Sequence, residues 1–216
     1  MKKKANIHTP DCFSEAYGSR DWKWYQNLMA TVIREGKPGT ILDIGAGLGL
    51  FAECAYRWGI QCVALEGSEF AVKETKKRVP ELDIRWHYLD EPFPLQDNSI
   101  DTVFCNQTIE HLYTETATIV LKESFRVLKK DGVILIYSPS IYNKKERAEE
   151  THVNLYSPKR LRKELRDAGF NNIKSIDSPL NILGQTKIAA ILAKGIFKAI
   201  PIDRLSATAN CRAQKC

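Results

Sequence analysis

The stretch from Ile41 to Glu66 constrains the fold more than any other part of this chain. Residues 41–44, ILDI, read as a strand that runs into Gly45, Gly47 and Gly49 at alternate positions. A helical run over 50–58 follows, closed by Gly59, and a second strand over 61–66 ends on Glu66. Strand, glycine turn, helix and strand make a βαβ unit, whose intervening helix returns the chain so that the two strands pair in parallel. The alternation continues downstream. Ser68 is placed to cap a helix that runs to Val79 and stops at Pro80. Strands are expected over 84–88 and 100–105. Residues 114–130 form the clearest helix, with Ala117, Val120, Leu121, Ser124, Phe125 and Leu128 on one face and Gly132 as its C′ glycine. A wholly apolar strand over 133–137 suits burial on both faces. Ser157-Pro158 opens a further helix that Gly169 ends, and a strand over 172–176 follows. This pattern predicts an α/β, doubly wound, Rossmann-like sheet with helices on both faces.

Composition narrows the class. The chain has 216 residues, enough for one well-buried core, and 44% hydrophobic with 27% charged residues is ordinary for a globular domain. The net charge of +6 belongs to the ends: residues 1–40 and 178–216 are basic, and the residues between them are slightly acidic. A core nucleic-acid groove therefore gets no support, and no nucleic-acid partner is expected. No apolar run is long enough for a membrane span, and MKKKANIHTPDC lacks the apolar stretch of a signal peptide. Six cysteines without C-x-x-C spacing read as reduced thiols in a cytoplasmic protein.

The glycine loop points to a nucleoside cofactor. In a doubly wound sheet, ligands bind beyond the C-terminal ends of the strands. Glycines there let the backbone turn sharply and come close to a ligand. Glu66 ends the second strand, where a carboxylate can accept hydrogen bonds from both hydroxyls of a ribose. The spacing is G-x-G-x-G, with Leu50 where a dinucleotide fingerprint has its third glycine, and no phosphate-binding lysine follows. Asp43 precedes the loop. A carboxylate repels phosphates and suits a ligand with an amino group, which S-adenosylmethionine carries.

With LDIGAGLG, ALEGS, DEPFPLQDNSIDTVFCNQTIEHL and FRVLKKDGVILIYSP in place, the chain resembles the class I S-adenosylmethionine-dependent methyltransferases of the small-molecule type over residues 40–176. The resemblance implies a seven-stranded sheet whose last strand is antiparallel and falls near 207–213. It implies a cofactor site of Asp43, Gly45, Ala46, Gly47, Gly49, Glu66 and Gly67. Asp90 would lie near the adenine amino group and Asn106 near the methionine portion. Turn-forming roles remain open for both.

Methyl transfer gains much of its rate from aligning nucleophile, methyl carbon and sulfur, so no universal catalytic residue is implied. His111, in IEHL, is the candidate base; the alternative is that Glu110-His111 orders the loop. Relatives of this kind that hold a divalent metal here carry E-x-x-E-H, and this chain has Gln107 at the first Glu. No metal is expected. His152 and Tyr156 are candidate acceptor contacts, with loop packing as the alternative, and Lys144 to Glu150 reads as a solvated face. Residues 1–39 are expected to form an N-terminal helical cap on a 40–216 domain. Within it Tyr17, Trp22, Trp24 and Tyr25 serve either to close over the cofactor or to fill the core.

An insertion at 178–205 precedes the last strand. Wound as a helix, its Lys187, Lys194 and Lys198 share a strip about 40° wide on an otherwise apolar surface. That strip suits a helix packed on the domain, a peripheral contact with an anionic membrane or lipid-linked acceptor, or a dimer contact. The functional expectation is methyl transfer to an oxygen, ahead of nitrogen or carbon, of a small or lipid-linked acceptor. The alternatives are a non-catalytic cofactor-binding scaffold and a protein or RNA methyltransferase. The third is weakened because NQTI stands where base-nitrogen methylators carry N-P-P-Y or D-P-P-Y. Oligomeric state is left open.

Overall fold

The computed structural model describes residues 21–176 and 206–216. The elements in chain order are α1 (Trp22–Glu35), β1 (Ile41–Ile44), α2 (Leu50–Arg57), β2 (Cys62–Glu66), α3 (Glu69–Arg78), β3 (Asp83–Trp86) and β4 (Ile100–Asn106). A 3₁₀ turn (Ile109–His111) leads into α4 (Thr114–Val127), β5 (Leu128–Tyr137), α5 (Lys144–Ala148), α6 (Pro158–Asp167), β6 (Asn171–Ser175) and β7 (Cys211–Gln214). The strands form one sheet in the order β3-β2-β1-β4-β5-β7-β6. Pairing is parallel from β3 to β5, and β7 runs antiparallel to both β5 and β6. The expected doubly wound sheet with an antiparallel last strand is the observed one.

Local chemistry explains most boundaries. Asp21, Ser68 and Ser157 accept hydrogen bonds from backbone N–H groups in the first turns of α1, α3 and α6, satisfying donors that a helix start leaves open. Gly59 adopts φ +70 after α2, as an αL glycine should at a helix end.

One boundary departs from expectation. Helix α4 ends at Val127 and not at 130, and Leu128 already pairs with Ile100 in the sheet. The helical face holds to its end because Leu128 is fully buried in the core, but in extended backbone. Asp131, at φ +63, supplies the left-handed residue of the turn. Gly132 is therefore not a C′ cap. A Cβ there would lie 2.9 Å from the Lys129 carbonyl and 3.2 Å from that of Asp101, so glycine answers a close backbone approach.

Helix α1 is built into the domain. Tyr25, Met29 and Val32 are buried against Ile41, Phe51, Cys54, Phe104 and Leu135, on the face of the sheet that α2 also covers. Of the four aromatics assigned to a lid or a core stripe, Tyr25 is core. Trp24 packs against the same cluster, and Trp22 is partly exposed with the Arg57 guanidinium over its ring at 5.2 Å. Tyr17 and the 178–205 insertion lie outside the described residues.

Candidate functional site: two corners at the sheet's carboxyl end

The strand order reverses at β1, which lies between β2 and β4. A crevice is left there, beyond the C-terminal ends of the strands, where doubly wound sheets take their ligands. Gly45, Gly47 and Gly49 all have positive φ, at +70, +55 and +66. At Gly45 a Cβ would also meet the Thr108 side chain at 2.4 Å, so the loop is closed to any other residue there on two counts. Thr108 donates its hydroxyl to the Ile44 carbonyl at 3.2 Å and so ties the residue after β4 to the end of β1. Sequence reasoning passed over Thr108, since nothing local marks a threonine as the wall of a loop more than 60 residues away.

Glu66 is buried and held by the loop that it serves. Its Oε2 accepts the Gly47 N–H at 2.7 Å and its Oε1 the Ser68 N–H at 2.8 Å. A carboxylate has about four lone-pair sites, so this fixes its direction while leaving capacity for further donors. Asp43 is 3% exposed, and its Oδ2 has no hydrogen-bond partner among the described residues. Burial, reinforced by the charge of Glu66, pushes its carboxyl up to about 8. Ala46 and Gly47 are buried beside it in the loop. Gly67 follows Glu66, and its carbonyl accepts from Trp86 Nε1 at 3.1 Å. Asn106 ends β4 beside Tyr137 of β5. Asp90 is exposed in the turn after β3. The candidate cofactor residues thus lie at the carboxyl ends of β1 and β2, of β4, and in the turn beyond β3.

A second corner lies beyond β4. His111 ends the 3₁₀ turn, and its ring meets that of His152 at a centroid distance of 4.8 Å. His111 Nδ1 lies 3.0 Å from the Thr151 carbonyl, and His152 Nδ1 lies 3.0 Å from the Glu146 carbonyl. A carbonyl only accepts, so both Nδ1 atoms carry a hydrogen and each ring turns its Nε2 away from that carbonyl. Burial lowers the pKa of His111, against an opposing contribution from the Thr151 bond, and the imidazole is neutral near pH 7. Glu110 is fully buried, and neither carboxylate oxygen has a partner in bonding geometry. Burial pushes its carboxyl up to about 8. One ligand-type atom from each of Glu110, His111 and His152 lies within 4.8 Å of the others.

Tyr156 is elsewhere. It has no exposed surface and belongs to the main core; its hydroxyl accepts from Asn154 Nδ2 at 3.0 Å, and Arg160 sits over its ring at 4.5 Å. Of the two readings, acceptor contact or loop packing, this burial fits loop packing: the tyrosine braces the 151–157 loop from beneath. Asn154 completes the brace by donating its N–H to the Glu110 carbonyl at 3.0 Å.

With this geometry in place, comparison with known proteins is decisive. Residues 42–136 match the family described as methyltransferase domain. Over that stretch, 95 of the 216 residues, the chain is of the class I S-adenosylmethionine-dependent methyltransferase type. It is 35% identical over 100 residues to a probable S-adenosylmethionine-dependent methyltransferase of Mycolicibacterium smegmatis, covering 46% of this chain and 38% of that protein. It is 30% identical over 130 residues to the malonyl-[acyl-carrier protein] O-methyltransferase of Hamiltonella defensa, covering 56% and 48%. The fold matches that of a SAM-dependent methyltransferase from Archaeoglobus fulgidus with a TM-score of 0.69 at 20% identity, over 94% of this chain and 98% of that one. The chain spans less than half the length of the curated relatives it matches. S-adenosylmethionine is the cofactor of this class, and the loop fits it. The orphaned carboxyl of Asp43 suits an ammonium group, and Glu66 is aimed by backbone N–H groups as a ribose acceptor would need to be.

Proposed function

We propose that this chain transfers the methyl group of S-adenosylmethionine to an oxygen of a small or lipid-linked acceptor. The observation that carries the reading is the pair of corners flanking the end of β4. One offers buried carboxylates beside the glycine loop; the other offers the His111 and His152 imidazoles, each with its Nδ1 on a backbone carbonyl. Gly45, Ala46, Gly47 and Gly49 would admit the cofactor, Glu66 would take the ribose hydroxyls and Asp43 the amino group. Gly67, Asp90 and Asn106 would flank the adenine and methionine ends. When bound, the cofactor supplies a methyl carbon already activated by its sulfonium. The chain's own contribution is to hold the acceptor oxygen in line and to take its proton, for which His111 Nε2 is placed.

Two further observations favour an oxygen and an apolar acceptor. A relative sharing 30% identity is named as an O-methyltransferase. Tyr113, Ile141, Tyr142 and Val153 are exposed on the segments that carry or adjoin His111 and His152, and they offer apolar surface to a chain or ring. The basic, apolar pattern at 178–205 is consistent with a peripheral membrane or lipid contact. No described helix is long and apolar enough to cross a membrane.

The test uses cofactor labelled in its methyl group, incubated with the protein and extract of its source cells, followed by phase partition, with Asp43→Ala as control. Label in the organic phase, absent with the variant, supports a lipid-linked acceptor. Label in the small aqueous pool keeps a small acceptor and removes the lipid contact. Label in macromolecules shifts the reading to protein or RNA methylation. Cofactor binding without label anywhere leaves the scaffold reading.

A further inference from the structure

We propose that Glu110, His111 and His152 form a binding site for a divalent transition-metal cation. Four observations meet there. Glu110 is fully buried with both carboxylate oxygens unpartnered among the described residues. Such a group is costly unless something satisfies it, and among the described residues the nearest donors, the Ser138 hydroxyl and the Glu110 N–H, stand outside bonding geometry to its oxygens. The Ser138 hydroxyl, a neighbour of Glu110, is directed to the Pro139 carbonyl. Next, each imidazole is locked by its Nδ1–H on a backbone carbonyl, His111 on Thr151 and His152 on Glu146, both at 3.0 Å. A carbonyl behind the ring is the outer-shell partner that fixes tautomer and orientation in metal-ligating histidines. Then, the two rings stand 4.8 Å apart with no hydrogen bond recorded between them or to Glu110, so their lone pairs are not spent on each other. Finally, one ligand atom from each of the three residues lies within 4.8 Å of the other two.

The donor set names the class of ion. Two imidazoles and one carboxylate favour zinc, cobalt, nickel or ferrous iron over magnesium and calcium, which prefer all-oxygen sites. Ligand atoms bound to one such ion at 2.0–2.1 Å lie about 3.3 Å apart, so the widest pair closes by up to about 1.5 Å on binding. His152 can supply that movement, since it lies in the loop after α5. Three protein ligands leave coordination positions open. An acceptor hydroxyl in one of them would ionise near neutral pH, because a bound cation lowers the pKa of its oxygen ligands strongly. Use of the ion in chemistry rests on the oxygen-acceptor reading above; its binding does not. With the ion bound, His111 is a ligand and no longer a base; the ion takes over activation of the hydroxyl, whose proton passes to solvent. The expectation of no metal weighed Gln107 against a short local pattern and could not see that the loop returns His152 to His111.

The experiment takes the full chain, stripped with a chelator and titrated with Co²⁺ by visible absorption and with Zn²⁺ by calorimetry. The expected result is one ion per chain, a d–d band of a four- or five-coordinate site without thiolate charge transfer, and at least 10-fold weaker binding in His152→Asn and Glu110→Gln. S-adenosylmethionine affinity should stay within about threefold in His152→Asn. That variant alters a partly buried loop residue and keeps the test valid if Glu110→Gln unfolds. Absence of binding, thiolate charge transfer, or binding unchanged in His152→Asn overturns the proposal. The methyl-label assay is read separately. Label transfer with no metal binding rejects the ion and keeps the methyltransferase, and metal binding with no label transfer does the reverse.

Discussion

The two corners at the carboxyl end of the sheet are built on opposite plans. At the candidate cofactor corner the glycines and both buried carboxylates come from one βαβ unit: Asp43 lies one residue before the end of β1, the glycines turn, and Glu66 ends β2. Glu66 is satisfied by N–H groups of its own unit, Gly47 and Ser68. At the other corner Glu110 and His111 come from the turn after β4, His152 comes from a loop 41 residues further on, and the buried carboxylate has no partner in bonding geometry among the described residues. Backbone donors in a local turn satisfy the first site before any ligand arrives. The second site has its histidines fixed and its carboxylate orphaned, which is the arrangement the proposed cation would complete.

Glu66→Ala is the sharpest way to break the first corner. It removes two charge-assisted bonds that aim the loop and also the proposed ribose acceptor, each worth about 1.5–3 kcal/mol. Cofactor affinity measured by calorimetry should fall by about 100-fold or more. Metal affinity at the second corner should not change, because the two corners share no residue. A coupled loss of both would show that the plans are not independent.

Asp43→Asn tests the orphaned carboxyl at the first corner, with two effects of opposite sign. The unfolded chain releases this proton near 3.8, while the folded chain holds it until about 8. Between those values the folded state binds more protons than the unfolded state, so this group's contribution to stability falls as pH rises. Asparagine carries no such proton. The ligand-free variant should match wild type near pH 4 and then exceed it by about 1.4 kcal/mol more for each pH unit toward pH 8, read by denaturant midpoints across that window. Cofactor affinity should fall at the same time, because the ammonium loses its anion. A variant less stable than wild type at pH 8 would mean that Asp43 has a partner in the folded state.

How far the sequence was legible follows the same division. The βαβ unit could be read because its signals are short-range: β1 spans the expected 41–44, Ser68 caps α3, and Pro158 stands at the first turn of α6. The end of α4 was misplaced because Leu128 fits the apolar face of a helix and the buried face of a strand equally well. Only pairing with Ile100 decides between them. Gly132 misled because a glycine after a helix looks the same whether it caps or makes room for a neighbouring backbone. At the second corner His111 and His152 were each visible as unusual residues, but their 4.8 Å approach depends on where a loop packs. Tyr156 resembled an acceptor contact by position, and its burial is a property of the assembled core.

Tyr156→Phe gives the smallest expected effect and the finest distinction between positioning and contact. The hydroxyl lost is one partner of a buried pair, and Asn154 Nδ2 would be left without that acceptor. The change should lower stability by about 1 kcal/mol, seen as a shift in denaturant midpoint at unchanged slope. The ring, its packing against α6 and the Arg160 contact all remain. Once the acceptor is in hand, its KM should be unaltered, because no surface of Tyr156 reaches solvent. Any loss should appear in metal affinity at His152, through looser packing of the loop that Tyr156 braces. A raised KM with unchanged stability would instead mean that the loop opens and brings the hydroxyl to the acceptor. The two corners would then differ in mobility as well as in construction.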